Sequence, residues 1–526
     1  VNFQPQWEIL PSLKLKGQYL FNIESYGSIQ NRDAYNFVDY YTNALVFTYP
    51  ELKSSSVSRS TYQYLSATLN YDKTLGKNFV NGIAGTSREI NNPNNYKQIT
   101  LASYFAKVNY VYDNRYLLEA SYRADGSSLF GDDHKWGTFP SVAVGWNVSH
   151  EKFMAPLTFL SNWKIRSSYG LLGNNQNVGP YQYQSTVNAG NGTEIAFGNP
   201  DITWETVKML DLGTDFGFLQ NKLTVTIDWY NKITDHVLLN PPLPPSSGLG
   251  SVPVNAGKIR NRGWELSASY SARFSPKTQL SLSAGYSYYQ NKILSLEGGP
   301  YINGNSIDQV GHPIGAYYGY RTAGLLQQSD IDKGVPVLSG EDAGDIKYLD
   351  VNKDGVIDNN DQVIIGNPNP EGNYFVNLRL DYHNLWFQIQ VNGFTKSLGV
   401  YQGRYTVPLT LAGDGGVPMN WQLDYWTPTH TDARFPRLTP NPTYNQLFSD
   451  FWAVNAAFAR IRYMELGYNL NALVKKVGLA GASIYLNAQN PFTISKMKHL
   501  DPESQGSELT YPLLKFYTMG INIKFE

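Results

Sequence analysis

Residues 350–361 read Asp-Val-Asn-Lys-Asp-Gly-Val-Ile-Asp-Asn-Asn-Asp. Side-chain oxygens fall at positions 1, 3, 5, 9 and 12 of this run, as Asp350, Asn352, Asp354, Asp358 and Asp361. Gly355 holds position 6, where a sharp turn is needed, and Val356 at position 7 offers its backbone carbonyl. Oxygen donors at this spacing form the EF-hand pattern, in which one loop wraps a hard cation. Asp361 stands where a bidentate Glu is usual, and its shorter side chain predicts weaker binding. The expectation is a structural Ca²⁺ held by Asp350, Asn352, Asp354, Val356, Asp358 and Asp361, with Ile357 packing inward. No catalysis is expected, because protein oxygens fill the coordination sphere and no nucleophile stands beside them. The plain alternative is an acidic Asn/Gly turn without metal.

Little else in the chain offers chemistry. The seven His lie at 134, 150, 236, 312, 383, 430 and 499, and none is spaced as a metal-ligand pair. No nucleophile elbow or phosphate-binding Gly loop stands at a strand–helix junction. Asp132-Asp133 reads as a solvated loop pair, and Trp204 as a membrane-interface residue with a ligand contact as the alternative. The sequence therefore predicts no enzyme, no catalytic residues and no cofactor beyond Ca²⁺. The net charge is −1, which gives no case for nucleic acid, and Cys is absent, which excludes disulfides and thiolate metal sites.

The elements that carry this loop follow a rhythm. Sixteen candidate strands fit between residues 12 and 525. Short connections (73–76, 113–114, 150–160, 219–221, 274–277, 384, 469–480) alternate with longer ones at about 25–60, 174–203, 236–257, 292–371, 398–454 and 491–512. Within strands the side chains alternate. Tyr517, Met519, Ile521, Ile523 and Phe525 face one way, and Thr518, Gly520, Asn522 and Lys524 the other. Leu385, Phe387, Ile389 and Val391 likewise alternate with Trp386, Gln388, Gln390 and Asn392. Ser, Thr, Asn and Gln make a poor core but a good lumen, so the apolar set belongs against lipid. Mean hydropathy is −0.36, and a transmembrane strand needs only about 10 alternating residues. The 39 Tyr suit interfacial aromatic girdles. The fold class predicted is all-β, an antiparallel transmembrane β-barrel with long extracellular loops, and residues 1–526 form part of one such domain.

Several stretches then resemble one family. They are Tyr116–Ser128, Trp136-Gly137-Thr138-Phe139-Pro140-Ser141, Ser168-Tyr169-Gly170, Asn199-Pro200-Asp201 with Trp204-Glu205, and Asn261-Arg262-Gly263-Trp264-Glu265-Leu266. The series continues with the 350–361 loop and Ile365-Gly366-Asn367-Pro368, then Trp426-Thr427-Pro428 and Phe435-Pro436-Arg437-Leu438. In this order they resemble the C-terminal barrel portion of SusC/RagA-type TonB-dependent outer-membrane transporters. The resemblance implies a barrel of about twenty-two strands with an N-terminal plug. The plug and first strands are then expected to lie outside this chain, on a missing N-terminal segment that would also contact TonB. Val1 is not an initiator Met and no signal peptide follows it, which fits that expectation. One departure is Glu526 after Phe525, where such barrels usually end on an aromatic residue.

The resemblance further implies a place in the outer membrane of a Gram-negative, Bacteroidetes-like bacterium. It implies a SusD-like surface lipoprotein as a lid and TonB-driven import of an oligosaccharide or peptide. The substrate-binding residues are not readable from the sequence. The alternative is a non-importing structural or binding barrel within a larger surface complex. A secreted all-β glycan-binding or glycan-cleaving protein is a third reading, disfavoured by the alternation of turns.

Overall fold

The computed structural model describes the chain except residues 95–96, 242, 244–245, 247, 249, 407–408, 410–416, 440–443, 476–477, 506–510, 512 and 526. Glu526 and parts of the 236–257, 398–454 and 491–512 connections therefore lie outside the described residues. Among the described residues, sixteen strands reach nine residues or more. They are β1 (Leu13–Arg32), β2 (Leu52–Leu75), β3 (Asn78–Asn94), β4 (Lys97–Tyr112), β5 (Tyr116–Ser127), β6 (Trp136–Asn147), β7 (Leu160–Asn174) and β8 (Glu205–Phe218). The series continues with β9 (Leu223–Leu239), β10 (Val254–Ser275), β11 (Thr278–Leu296), β12 (Gly372–Tyr382), β13 (Leu385–Thr395), β14 (Phe458–Asn469), β15 (Gly481–Ser495) and β16 (Phe516–Lys524). The chain divides into two compact units: residues 1–147, 166–210 and 234–257, and residues 148–165, 211–233 and 258–526.

In the first unit, β1 to β6 form an antiparallel meander. Its registers show why the residues alternate. One row across all six strands reads Leu15, Leu69, Ala84, Ala106, Tyr122 and Pro140. A row on the opposite face reads Gln18, Ser66, Ser87, Ser103, Asp125 and Gly137. Leu15, Leu69 and Tyr122 are exposed, while Ser87, Ser103 and Asp125 are buried. That is the reverse of a water-soluble sheet, where the apolar face is covered. The turn between β4 and β5 sits at Asp113 and Asn114, with φ of 51° and 53°, a conformation these two residues tolerate. Tyr112, Tyr116 and Trp146 line up across three strands beside it, the two tyrosines stacked 6.5 Å apart. This is an aromatic band at a turn edge, as lipid interfaces favour.

In the second unit, β11 to β16 form a second meander. One row reads Leu280, Leu380, Phe387, Leu466, Leu486 and Met519, and the next reads Ser281, Arg379, Gln388, Glu465, Asn487 and Thr518. Leu466 is 47 % exposed, Leu486 56 % and Met519 70 %. Six aligned apolar positions facing outward need lipid against them. No helix among the described residues is long and apolar enough to cross a membrane.

Two expectations need correction. Residues 25–60 are not mainly loop: β1 and β2 stay paired out to Arg32↔Leu52, and Tyr35–Val38 pairs with Leu45–Tyr49 beyond them. Apolar alternation could not reveal this ribbon, because both of its faces meet solvent and its pairing rests on the backbone ladder. Trp204 is not an interface residue. It is 6 % exposed, packs 5.0 Å from Phe130 and 5.5 Å from Phe139, and its Nε1 donates to the Lys135 carbonyl. With Leu129, Val178 and Ile202 it makes a small core beneath the loops of the first unit. An indole N–H with a carbonyl partner is readily buried, and tertiary contact decides that.

Candidate functional site

The long connections of the second unit fold on themselves. Ala316–Gly319 pairs with Val363–Gly366, Thr322–Leu325 with Ile346–Tyr348, and Leu398–Val400 with Ala453–Asn455. Tyr320, Ile346, Tyr348, Ile357, Val400, Tyr401, Phe435 and Trp452 are buried together as one core. Here apolar residues point inward, as in a soluble domain.

A polar network crosses this core. The Arg437 guanidinium grips buried Asp345 through two hydrogen bonds of 2.9 Å. Asn445 Nδ2 donates to the same carboxylate at 2.8 Å, and Asn445 Oδ1 accepts from the Ile346 N–H at 2.8 Å. Trp452 Nε1 donates to the Asn445 carbonyl. Gly344 makes the corner: its φ is +93°, its carbonyl accepts the Arg437 N–H, and a Cβ there would lie 2.4 Å from the Trp426 ring. Glu341 sits nearby with one oxygen accepting the Leu338 N–H and the other buried without a hydrogen bond. Burial, with the Asp345 charge adding to it, pushes the Glu341 carboxyl up to about 7.

The 350–361 run bridges two of these short strands, between Ile346–Tyr348 and Val363–Gly366. Gly355 takes φ +86°, as the turn position requires, and Ile357 is 4 % exposed and joins the core. Asp350 accepts the Lys353 and Gly355 N–H groups at 2.6 and 2.9 Å. Asn352 accepts the Asp354 N–H, Asp354 the Val356 N–H, and Asp358 the Asn360 N–H. Asp361 is fully buried and accepts N–H groups from Val351, Asn352 and Asp358. Burial alone would raise its pKa; the three donors outweigh that and hold it lowered. The donor set is entirely oxygen and suits a hard cation. The carboxylates do not converge here: among the described residues no group of three or more His, Asp and Glu side chains is placed to hold a metal.

Other sequence-selected residues stand apart. His430 bonds Asp424 at 2.9 Å, with Asp432 at 3.3 Å, and the Asp424 hydrogen bond raises its pKa. His499 stacks on Trp421 at 4.3 Å. Asp132 pairs with Lys135 on the surface.

Sequence reading missed a strap. A bulge in β14 leaves Arg462 as an extra residue between Ile461 and Tyr463. Both Arg460 and Arg462 then meet Glu503, and Arg460 also bonds Asp501 at 2.7 Å and Thr493 at 2.8 Å. Gln505 continues the strap to the Pro368 carbonyl at 2.8 Å and through its own carbonyl to the Val400 N–H. The Arg-x-Arg spacing was the only sequence signal, and it is common in strands. Beside the strap a concavity of about 480 Å³ opens along β9 to β14.

Comparison with known proteins agrees with this architecture. Residues 2–401 match the family model described as TonB dependent receptor-like, beta-barrel. TonB-dependent receptor P3 of Formosa agariphila is 30 % identical over 475 residues, covering 82 % of this chain and 46 % of its own length. TonB-dependent receptor SusC of Bacteroides thetaiotaomicron is 29 % identical over 456 residues, covering 81 % and 44 %. The chain thus spans about half the length of these curated relatives. Among solved structures, the RagAB peptide transporter superposes with a TM-score of 0.82 at 22 % identity, over 99 % of this chain and 61 % of that one. The family is one of transporters rather than enzymes, and its barrels sit in the outer membrane of Bacteroidetes. The chain belongs to the TonB dependent receptor-like β-barrel family, as a barrel of SusC/RagA type.

Proposed function

We propose that this chain is the wall and external loop assembly of an outer-membrane importer of oligosaccharides or peptides. One observation carries the reading: an outward-apolar, inward-polar strand wall joined to a loop module with its own buried core. A lumen needs the first, and a fixed external rim needs the second. The likeness to the RagAB peptide transporter supports peptide as one substrate class; oligosaccharide is the other class that the sequence resemblance implies. In this reading a SusD-like lipoprotein covers the loop module, and TonB acts through a plug carried by the N-terminal part of the full-length protein. The wall does no bond-making chemistry; it excludes lipid, and its inner polar rows keep a passage wetted.

The same proposal includes Ca²⁺ in the 350–361 loop. Asp350, Asn352, Asp354, Asp358 and Asp361 with the Val356 carbonyl are its donors, and its contribution is rigidity. Calorimetric titration of the detergent-solubilised full-length protein with Ca²⁺ tests it. Micromolar to millimolar binding that weakens in Asp350→Ala is expected. No heat, or heat unchanged in that variant, sinks it.

Import is tested by uptake of labelled oligosaccharide and peptide pools into cells carrying the full-length gene, with and without an intact TonB. TonB-dependent uptake, with a lipoprotein co-purifying, is expected. A lipoprotein that co-purifies without any uptake would favour a structural surface complex instead.

A further inference from the structure

We infer that the concavity beside the strap is a subsite for a neutral oligosaccharide. The inference rests on the import reading and chooses between its two substrate classes.

The cavity lies over the inner, polar face of the second unit. At about 480 Å³ it falls within the range of small-molecule sites. Its wall mixes aromatic rings (Phe375, Phe394 and Phe458) with the hydrogen-bonding side chains Glu265, Asn373 and Asn392. Phe375 is 41 % exposed and lies across Gly285, where a Cβ would sit 2.3 Å from the ring. Only glycine opposite it lets the ring lie that close to the wall. Phe394 and Phe458 meet edge to face at 4.5 Å, behind the strap.

Four ligand chemistries can be compared on this wall. A metal ion has little to use on this wall: Glu503 is held by Arg460 and Arg462, and among the described residues Asp228 and Glu265 are not grouped with a third carboxylate to hold one. An anion would face Glu265 and Glu503, while Arg460 and Arg462, the nearby cations, are already bound to Glu503 and Asp501. A peptide adding as a strand needs unpaired backbone. Here Gly285, Phe375, Asn392, Phe394 and Phe458 all lie in the ladder from β11 to β14. A lysine side chain would meet Asp228 and Glu265 but offers only donors, so it leaves the amide N–H groups of Asn373 and Asn392 to other parts of the peptide. A sugar ring answers both sides. Each hydroxyl donates to a carboxylate or amide oxygen and accepts from an amide N–H, and its C–H face lies on an aromatic ring. Glu503 borders the cavity and is tied by both arginines, so the strap forms one wall of this subsite.

The test is calorimetry on the full-length receptor in detergent, titrated with maltohexaose, cellohexaose, mannohexaose, a neutral hexapeptide and a lysine-containing hexapeptide. Glu265→Gln keeps shape while removing the charge, and Phe375→Leu keeps bulk while removing the ring. At least one hexasaccharide should bind, and each variant should weaken it by about tenfold or more while leaving any peptide binding unchanged. Thermal unfolding of each variant shows that it is folded. The inference is overturned if no hexasaccharide binds, if both variants bind it as the parent does, or if they weaken a peptide instead. Uptake separates the two levels: TonB-dependent peptide import surviving such a result keeps the import reading and removes this one.

Discussion

Within the second unit, the strand wall and the loop module bury opposite sets of residues. Along β13 to β16, Leu466, Leu486 and Met519 stand outward and exposed, while the row holding Gln388, Glu465 and Thr518 faces the other way. In the loops, Ile346, Tyr348, Val400 and Trp452 are sealed inside. One chain therefore solves two solvent problems. Lipid rewards apolar side chains on the outside of the wall; water rewards them inside the loops. The residue types are similar in both places, and only the surroundings reverse their sense. What an apolar residue does here depends on which connection or strand it belongs to.

Substitutions at matched positions can break or sharpen that contrast. The largest effect belongs to the loop network. Arg437→Ala strands the buried Asp345 carboxylate and should cost about 3–5 kcal/mol. The expected result is rapid proteolysis between residues 320 and 450 while the strand wall keeps its heat resistance on gels. Simultaneous loss of both would mean that module and wall are one cooperative unit.

Next comes the wall. Leu486→Arg places a charge on the lipid face and should cost about 2–4 kcal/mol, read as loss of folded protein in membranes. Ser281→Ala, on the opposite face, should stay within about 0.5 kcal/mol. Equal effects at the two positions would refute the assignment of faces.

Adjacent residues of the acidic loop give a finer test. Ile357→Ala should cost about 2–4 kcal/mol because Ile357 is core. Val356→Ala should stay within about 0.5 kcal/mol, since its side chain is 58 % exposed and only its carbonyl is assigned a role. Denaturant melts of the detergent-solubilised receptor compare them.

The smallest effect is set by pH. Glu341 has a folded pKa of about 7, above its ordinary value of 4.5, so burial costs the folded state nothing extra while the carboxyl is protonated. The penalty grows as pH rises from about 4.5 and is complete above about 7. Glu341→Gln should therefore match the parent near pH 4.5 and exceed its loop stability by on the order of 1–2 kcal/mol at pH 8, discounted for partial solvent access. Limited proteolysis across that range checks it. A difference independent of pH would mean that Glu341 is not the titrating group.

The wall was legible from sequence because its rule is local. Side chains alternate every residue, so Leu385, Phe387 and Ile389 against Trp386, Gln388 and Gln390 declare their faces without reference to any partner. The turn at Asp113-Asn114 was legible for the same reason. The acidic loop was legible as a pattern of donors, with Gly355 and Ile357 found where the spacing places them. The outer hairpin of β1 and β2 was not, since a ribbon wetted on both faces leaves no hydrophobic signature.

What the sequence determined by itself, then, was the period-2 strands, their tight turns, and the ligand types along residues 350–361. Tertiary structure alone decided that Trp204 is core, that Asp345, Arg437 and Asn445 meet across about 100 residues of chain, and that a bulge turns Arg462 toward Glu503. The physical reason is range. Alternation and turn preference act between neighbours along the chain. A buried ion pair or a packed indole exists only once distant segments have excluded water from between them.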